Sequence, residues 1–432
     1  MTDTLVVLMH DDVAGTVIRP SGDRIRFEYA DSYRTSPKAT PLSRAMPLTV
    51  RSHPDAVISP WLWGLLPDND DVLARWARQF QVSRTPFSLL GTRIGEDCAG
   101  AVRFCPDSEV DRLISRAGQV EWLDEAGVAA RIRDLRTDPT AWLGTGFTGQ
   151  FSLAGAQAKT ALHWDGSRWG VPIGSKATTH ILKPAVRGFD DHELNEHICL
   201  EAARRVGMAA ARTRVERFAD ESVVVVERYD RLVTRHDLGD ELTISRVHQE
   251  DLCQSLAVPP WRKYQNEGGP GALDIIALLR REIPPRAAVA AAQSFVDALI
   301  WNWVIAGTDA HAKNYSLLLS GGGVRLAPLY DIASALPYGA HERKLRMAMK
   351  IGGEYDLWAV RDRWAKAAAE WDLDPEQLRA RVLEVIRAAP EAFSNSAADA
   401  AVTALGRKGP ARLVDAVAAR ASRLADTLSR RE

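Results

Sequence analysis

The spacing of apolar residues changes along the chain, and each change predicts a different kind of structure. Up to residue 105 short apolar runs alternate with turn residues. Leu5-Val6-Val7-Leu8-Met9 and Ile25-Arg26-Phe27-Glu28-Tyr29 flank the turn Pro20-Ser21-Gly22-Asp23 and predict antiparallel strands. After Leu65-Leu66-Pro67-Asp68, Val72, Trp76 and Phe80 recur at helical spacing, in a helix opened by Pro and Asp. Residues 106–140 are polar and helical in pattern, and read as a connector. From 141 the texture turns to strands. Ala161–Trp164 and Arg168–Val171 surround Asp165-Gly166-Ser167 as a hairpin, and Thr179–Lys183 is a further strand ended by Pro184. A helix from Asp191 to Val206 follows, with Leu194, Ile198 and Ala202 on one face and Gly207 as its stop. Arg214–Phe218 and Val223–Tyr229 form a second hairpin. Beyond residue 240 the pattern is almost wholly helical. It includes the apolar run Phe295–Ile305, interrupted later by a short strand, Val324–Tyr330. The expectation is an α+β chain with four parts. These are an N-terminal subdomain (1–105), the connector (106–140), a β-rich lobe (141–235) and an all-helical lobe (236–432).

A chain of 432 residues with 46% hydrophobic and 26% charged residues is ordinary for a soluble globular protein of two or three domains. Formal net charge is −1, so no global field points to nucleic acid or an anionic membrane. The arginines between Arg361 and Arg431 alternate with acidic residues at helical spacing and read as solvated helix faces. Met1–Val7 lacks the charged start and apolar core of a signal peptide, and no apolar run reaches about eighteen residues. Cys98, Cys105, Cys199 and Cys253 show neither ligand nor disulfide spacing, so reduced, buried thiols are expected. Together these predict a cytoplasmic protein with no membrane partner.

Candidate chemistry concentrates in Gly307-Thr308-Asp309-Ala310-His311-Ala312-Lys313-Asn314, followed by Leu329-Tyr330-Asp331. An acid, an amide five residues on and a second acid beyond a short insert are what phosphoryl transfer from a nucleotide requires. One carboxylate, Asp309, accepts the hydroxyl proton, while Asn314 and Asp331 hold magnesium against the phosphates. Protein kinases carry the same spacing in H-R-D-x-x-x-x-N, with D-F-G later; here Asp331 lacks the Phe-Gly.

A second constellation is Ser152-Leu153-Ala154-Gly155-Ala156-Gln157-Ala158-Lys159-Thr160. Its small residues let backbone N–H groups approach phosphate oxygens, so Ala154, Gly155, Ala156, Gln157 and Lys159 are candidate nucleotide contacts. It is not a Walker A loop. Lys183, at a strand end, is the candidate contact to the α/β-phosphates, with Glu196 as its partner and Glu193 as the alternative. At the end of Val224-Val225-Val226-Glu227-Arg228-Tyr229-Asp230-Arg231 the backbone of Glu227 to Tyr229 can meet an adenine edge, with Tyr229 beside the ring. Arg228 and Arg231 are expected in structural ion pairs. His311 joins the nucleotide site, as a loop-shaping hydrogen-bonding group rather than a catalyst. Zinc is not expected, because no second histidine or cysteine lies at ligand spacing. Strands, a helix, more strands and then helices is the order of the two lobes of a protein kinase.

The motifs S-x-A-G-A-Q-x-K-T, T-H-I-x-K, V-E-R-Y-D-R, H-Q-E-D-x-C-Q (His248–Gln254), T-D-A-H-A-K-N and Y-D-I, with Gly64-Leu65-Leu66-Pro67-Asp68, run in order along nearly the whole chain. Together they resemble the HipA-type serine/threonine kinase toxins of bacterial type II toxin–antitoxin modules. The resemblance implies a two-lobed protein-kinase-like fold and ATP with magnesium. It also implies phosphorylation of a protein such as an aminoacyl-tRNA synthetase, and a helix-turn-helix antitoxin of the same operon that carries the complex to operator DNA. By position it implies that Asp309 is the base, Asn314 and Asp331 the metal ligands, and Lys183 the phosphate contact. Ser152 takes the place of an autophosphorylated serine whose modification expels the nucleotide loop. Ala158 and Gly307 depart from the family pattern, which has Glu and Asn there. The competing readings are a small-molecule or lipid kinase of related fold and a non-catalytic corepressor that binds antitoxin. Intact Asp309, Asn314, Asp331 and Lys183 argue against the latter.

Overall fold

Alternating apolar residues in the first hundred positions build an antiparallel sheet from β1 (Asp3–Met9), β2 (Asp12–Arg19), β3 (Arg26–Tyr29), β4 (Ser52–Pro54) and β5 (Val102–Cys105), in the order β4-β3-β2-β1-β5. The computed structural model describes residues 3–20, 24–115, 118–144, 149–235, 242–320, 323–339 and 341–429. The two strands read from the sequence are not neighbours, because β2 lies between them and pairs with both. Gly15 and the polar Asp12 and Thr16 hide β2 from a hydrophobic-run reading. Pro20 ends it, while Ser21–Asp23 lie outside the described residues. The helix Asp70–Phe80 is capped one residue later than expected, by the Asn69 side chain accepting from Asp71 and Val72 N–H.

The 106–140 segment contributes structure of its own. β6 (Gln119–Leu123) joins the edge of the next sheet, and the helix Glu125–Thr137 packs on it. That sheet adds β7 (Thr160–Trp164), β8 (Trp169–Ile173), β9 (His180–Pro184), β10 (Thr213–Phe218) and β11 (Glu221–Glu227), in the antiparallel order β10-β11-β9-β7-β8-β6. Both hairpins, the Thr179–Lys183 strand and the helix (His192–Arg205) lie where the pattern predicts. One hydrophobic core runs from Val7, Phe27 and Trp61 through Phe151 to Leu162, Leu182 and Val225. The N-terminal subdomain and the small lobe therefore bury their apolar faces against each other.

The large lobe forms around the buried helix Pro285–Ile305, against which Pro375–Ala397 and Gly409–Ser429 pack. That helix is long and apolar enough to cross a membrane by length and composition. However, 67% of its apolar window is buried inside the protein, where it serves as core. The lobe is not all-helical, which corrects the sequence reading. A hairpin of β12 (Arg231–Arg235) and β13 (Leu242–Arg246) precedes a three-stranded sheet of β14 (His248–Asp251), β15 (Ser316–Ser320) and β16 (Gly323–Leu326). A final pair is β17 (Arg346–Ile351) and β18 (Glu354–Asp356). These strands are short, and an apolar run such as Leu317–Leu319 has no period that separates strand from helix.

Buried polar groups close the junction. Asp97 accepts from Arg231 at 2.9 Å, Arg246 at 3.2 Å and the Thr178 hydroxyl at 2.6 Å, and pairs with Arg228 at 3.5 Å. Asp230 binds Arg228 and Arg231, so both arginines form the structural ion pairs expected of them. The His248–Gln254 motif acquires a role here. His248 Nε2 lies 2.9 Å from Leu42 O, Glu250 accepts from Arg44 N–H, and the Gln254 amide donates to Trp61 O. The motif fastens the large lobe to the N-terminal subdomain.

Candidate active site

Strand β9 carries Lys183 into the space between the lobes, and the helix behind it brings Glu196. The Lys183 ammonium lies 2.6 Å from Glu196 Oε1 and 2.7 Å from Asp331 Oδ1. Glu196 is thus the partner, and Glu193 instead accepts from Ser222. Burial alone would lower the Lys183 pKa, but Asp331 and Glu196 outweigh it and the net direction is up. For Asp331, burial pushes up while Lys183 and Lys159 pull further down, so its carboxyl stays far below the usual range. Asp331 adopts φ 56°, a left-handed conformation that a non-glycine residue holds only under constraint.

The helix Pro285–Ile305 ends at Ala306 (φ 56°), and the chain turns directly into the loop that carries Asp309 and Asn314. Gly307 fits because a Cβ there would lie 2.2 Å from Asn302 Oδ1, a buried side chain already bonded to Ala298 O. The Asn314 Nδ2 group donates to Asp309 O at 2.8 Å and closes the loop. Among the described residues nothing donates to Asn314 Oδ1, so that oxygen is free for a cation.

Asp309 itself is 69% exposed at its side chain and accepts from the Tyr264 hydroxyl. Its pKa is raised, first by partial desolvation and also by Asp331, against the lowering effects of the Tyr264 hydrogen bond and Lys263. Because the side chain reaches solvent, the desolvation effect is weaker than for an enclosed carboxyl. His311 is buried with Nε2 4.0 Å from Asp309 Oδ1, and burial brings its pKa down to about 3. It is neutral, but its Nδ1 is buried without a partner and its Nε2 is beyond hydrogen-bond distance of Asp309, so the loop-shaping hydrogen bond expected of it is not formed among the described residues.

The loop after Phe151 lies against the N-terminal subdomain. Ser152 N–H donates to Asp97 O and its hydroxyl to Leu65 O, while Asp68 N–H donates to Gly155 O. Ser152 is fully buried. Ala154, Ala156 and Gln157 donate no backbone hydrogen bond among the described residues, and Gln157 Nε2 is a buried donor without a partner. Gly155 has φ 100°, and a Cβ there would meet Lys159 Nζ at 2.7 Å. Lys159 donates to Ala154 O, and burial, then Lys183, lowers its pKa to about 8. Unpaired donors on small residues, backed by two lysines, fit an anionic chain of phosphates.

At the end of β11 the Glu227 N–H donates to Arg212 O and the Arg228 N–H to Thr179 O. The Glu227 carbonyl and the Tyr229 N–H have no partner among the described residues, an acceptor and a donor two residues apart. The Tyr229 ring lies 5.7 Å from that of Tyr330. A cavity of about 520 Å³ is lined by Glu227, Arg228 and Tyr229 together with Arg204 and Arg212. None of Lys183, Asp309 or Asp331 lines it, so it borders the linker rather than the charged centre. No cluster of three His, Cys, Asp or Glu side chains is present among the described residues that could hold a metal alone. Asn314 and Asp331 instead supply two oxygens, the donor type a hard cation prefers when phosphates complete its shell.

Two residues here escaped the sequence reading. Asp68 bridges Lys313 and Lys263, the latter at 3.0 Å, and so clamps the Asp309–Asn314 loop to the N-terminal subdomain. This pair also gives Lys313 a partner. Tyr264 on the bond to Asp309 is the other.

Residues 151–393 match the HipA-like C-terminal domain and residues 5–105 the HipA N-terminal domain. The chain belongs to the HipA family. It is 33% identical to the Sinorhizobium fredii protein Y4mE over 92% of both chains. It is 29% identical to the serine/threonine-protein kinase toxin HipA of Shewanella oneidensis, covering 78% of this chain and 75% of that one. The solved structure of Shewanella oneidensis HipA, in complex with HipB and operator DNA, superposes with a TM-score of 0.80 at 26% identity, covering 97% of each chain. The fold is therefore the two-lobed, kinase-like α+β fold of HipA, and the chain is a HipA-family kinase.

Proposed function

We infer that this chain is an ATP- and magnesium-dependent serine/threonine protein kinase acting as the toxin of a toxin–antitoxin pair in the cytoplasm. The observation that carries the reading is Lys183 held between Glu196 and Asp331, beside a loop that presents Asp309 and Asn314. The free carbonyl of Glu227 and N–H of Tyr229 suit an adenine edge. Residues 154–157 and Lys159 suit the phosphates, and Lys183 the α/β-phosphate oxygens. Asn314 and Asp331 would hold magnesium, which neutralises phosphate charge when bound. Asp309 takes the proton of the acceptor hydroxyl as the hydroxyl oxygen attacks the γ-phosphorus and the bond from that phosphorus to the leaving ADP breaks. Partners by this reading are a helix-turn-helix antitoxin and, through it, operator DNA. The acceptor is a translation protein such as an aminoacyl-tRNA synthetase. Phosphoproteomics after brief induced expression should show new phosphoserine or phosphothreonine on such a protein, absent with Asp309→Asn. Identical phosphoproteomes would reject the reading.

Asp331→Ala and Asn314→Ala are each expected to weaken magnesium-dependent ATP binding, since each removes an oxygen from a hard cation. Calorimetry with and without magnesium measures this, and unchanged affinity in both variants would rule out the metal site.

Ser152 is the proposed autoregulatory site. It is buried in the conformation described, so its phosphorylation requires the 152–157 segment to leave the N-terminal subdomain. A phosphate adds about −1.5 to −2 charge, beside nucleotide phosphates of the same sign and against the buried Leu65 carbonyl. The modified protein should lose ATP binding and toxicity. Mass spectrometry of protein incubated with ATP, beside Asp309→Asn, should find the phosphate only in the wild type; an unmodified Ser152 in active protein would dismiss this switch.

A further inference from the structure

The breaker cluster Asn266–Gly271 belongs to a longer loop, from Ala257 to Gly271, whose role the nucleotide chemistry does not explain. Two short 3₁₀ turns shape it, Pro260–Arg262 and Gln265–Glu267. Gly269 returns its N–H to Tyr264 O at 2.9 Å, in a position where a Cβ would lie 2.0 Å from Arg262 O. The loop is tied down on both sides of Tyr264. Lys263 pairs with Asp68, and Gln265 Oε1 accepts from Lys350 N–H at 2.7 Å. Between these anchors the Tyr264 ring packs edge-on to His311, with centroids 4.9 Å apart, and its hydroxyl donates to Asp309 Oδ1. Burial first, then Asp309, pushes the Tyr264 phenol up from its ordinary value, so the phenol stays protonated and is the donor.

A hydroxyl donating to the general base is the contact an acceptor must make before transfer. We propose that the Tyr264 hydroxyl fills the acceptor-hydroxyl position in the free enzyme, and that Tyr264, on the Ala257–Gly271 loop, is the side chain an acceptor protein displaces to reach Asp309. The inference rests on the kinase reading and names its acceptor subsite. Trp261, 62% exposed and edge-on to Trp63 at 6.2 Å, gives the incoming protein an apolar handle on the same loop. The anchors make displacement local, since Asp68 and Lys350 hold the residues on either side.

Water is the smallest acceptor, so ATP hydrolysis without added protein reads access to Asp309. Its oxygen attacks the γ-phosphorus, the bond to ADP breaks, and the water proton passes to Asp309. Tyr264→Phe keeps the ring on His311 but removes the competing donor. Hydrolysis should rise about tenfold, the scale of a hydrogen bond to a charged group, with the KM for ATP unchanged. Tyr264→Leu should rise similarly, and thermal melting checks that both variants are folded. Hydrolysis unchanged or reduced in both folded variants would overturn the proposal, because Tyr264 would then support Asp309 rather than block it. Combining Tyr264→Phe with Asp309→Asn separates the two readings. The gain should vanish; if it persists, Asp309 is not the base and the kinase mechanism itself fails.

Discussion

Asp309→Asn should lower phosphoryl transfer by about 10²–10⁴-fold, the range for loss of a positioned general base. The substitution keeps the shape of the side chain, and the amide oxygen can still accept from Tyr264. The Asn314 bond goes to the backbone carbonyl of residue 309, so it survives as well. The loss therefore falls on proton transfer and leaves the architecture of the loop intact. Initial rates with labelled ATP measure the effect, and calorimetry should show ATP binding retained within a few fold. A wild-type rate would remove Asp309 from its role.

The largest effect on stability is expected from Asp97→Ala, at about 3–5 kcal/mol, the cost of breaking a buried ion pair by removing one partner. Asp97 is fully buried and faces the guanidinium groups of Arg228, Arg231 and Arg246. Without it, Arg228 and Arg231 keep Asp230, while Arg246 loses its carboxylate partner. Burial pushes the Asp97 carboxyl up, but the three arginines and Thr178 hold it far below its ordinary range. Its folded pKa is thus depressed below the unfolded value of about 3.9. The stabilisation is complete above that pH and is lost as pH falls towards the folded value. Urea unfolding at neutral pH tests the variant, and a shift under about 1 kcal/mol would mean that Asp230 alone suffices.

Residues whose chemistry is local in sequence were legible before the structure. Asp309 and Asn314 share one loop, and the Lys183–Glu196 pair spans one strand and one helix, so spacing alone could propose them. Contacts between distant segments were not legible. Asp68 reaches Lys263 across 195 residues and Lys313 across 245, and Tyr264 reaches Asp309 across 45. Asp97 and the His248–Gln254 motif matter for the same reason, since their partners come from other lobes. Missed strands follow a different logic. The apolar pattern of β2 is interrupted at Gly15, and the large-lobe strands are too short for a period to show. The apolar run Phe295–Ile305 suffered neither problem, although the helix that carries it starts earlier, at Pro285.

Incubating purified protein with magnesium, γ-labelled ATP and cell extract, then separating proteins from small solutes, decides whether this chain phosphorylates protein. Label is expected on serine or threonine of an extract protein, dependent on magnesium and absent with Asp309→Asn. Label confined to a small solute, or protein label that Asp309→Asn leaves unchanged, would contradict it.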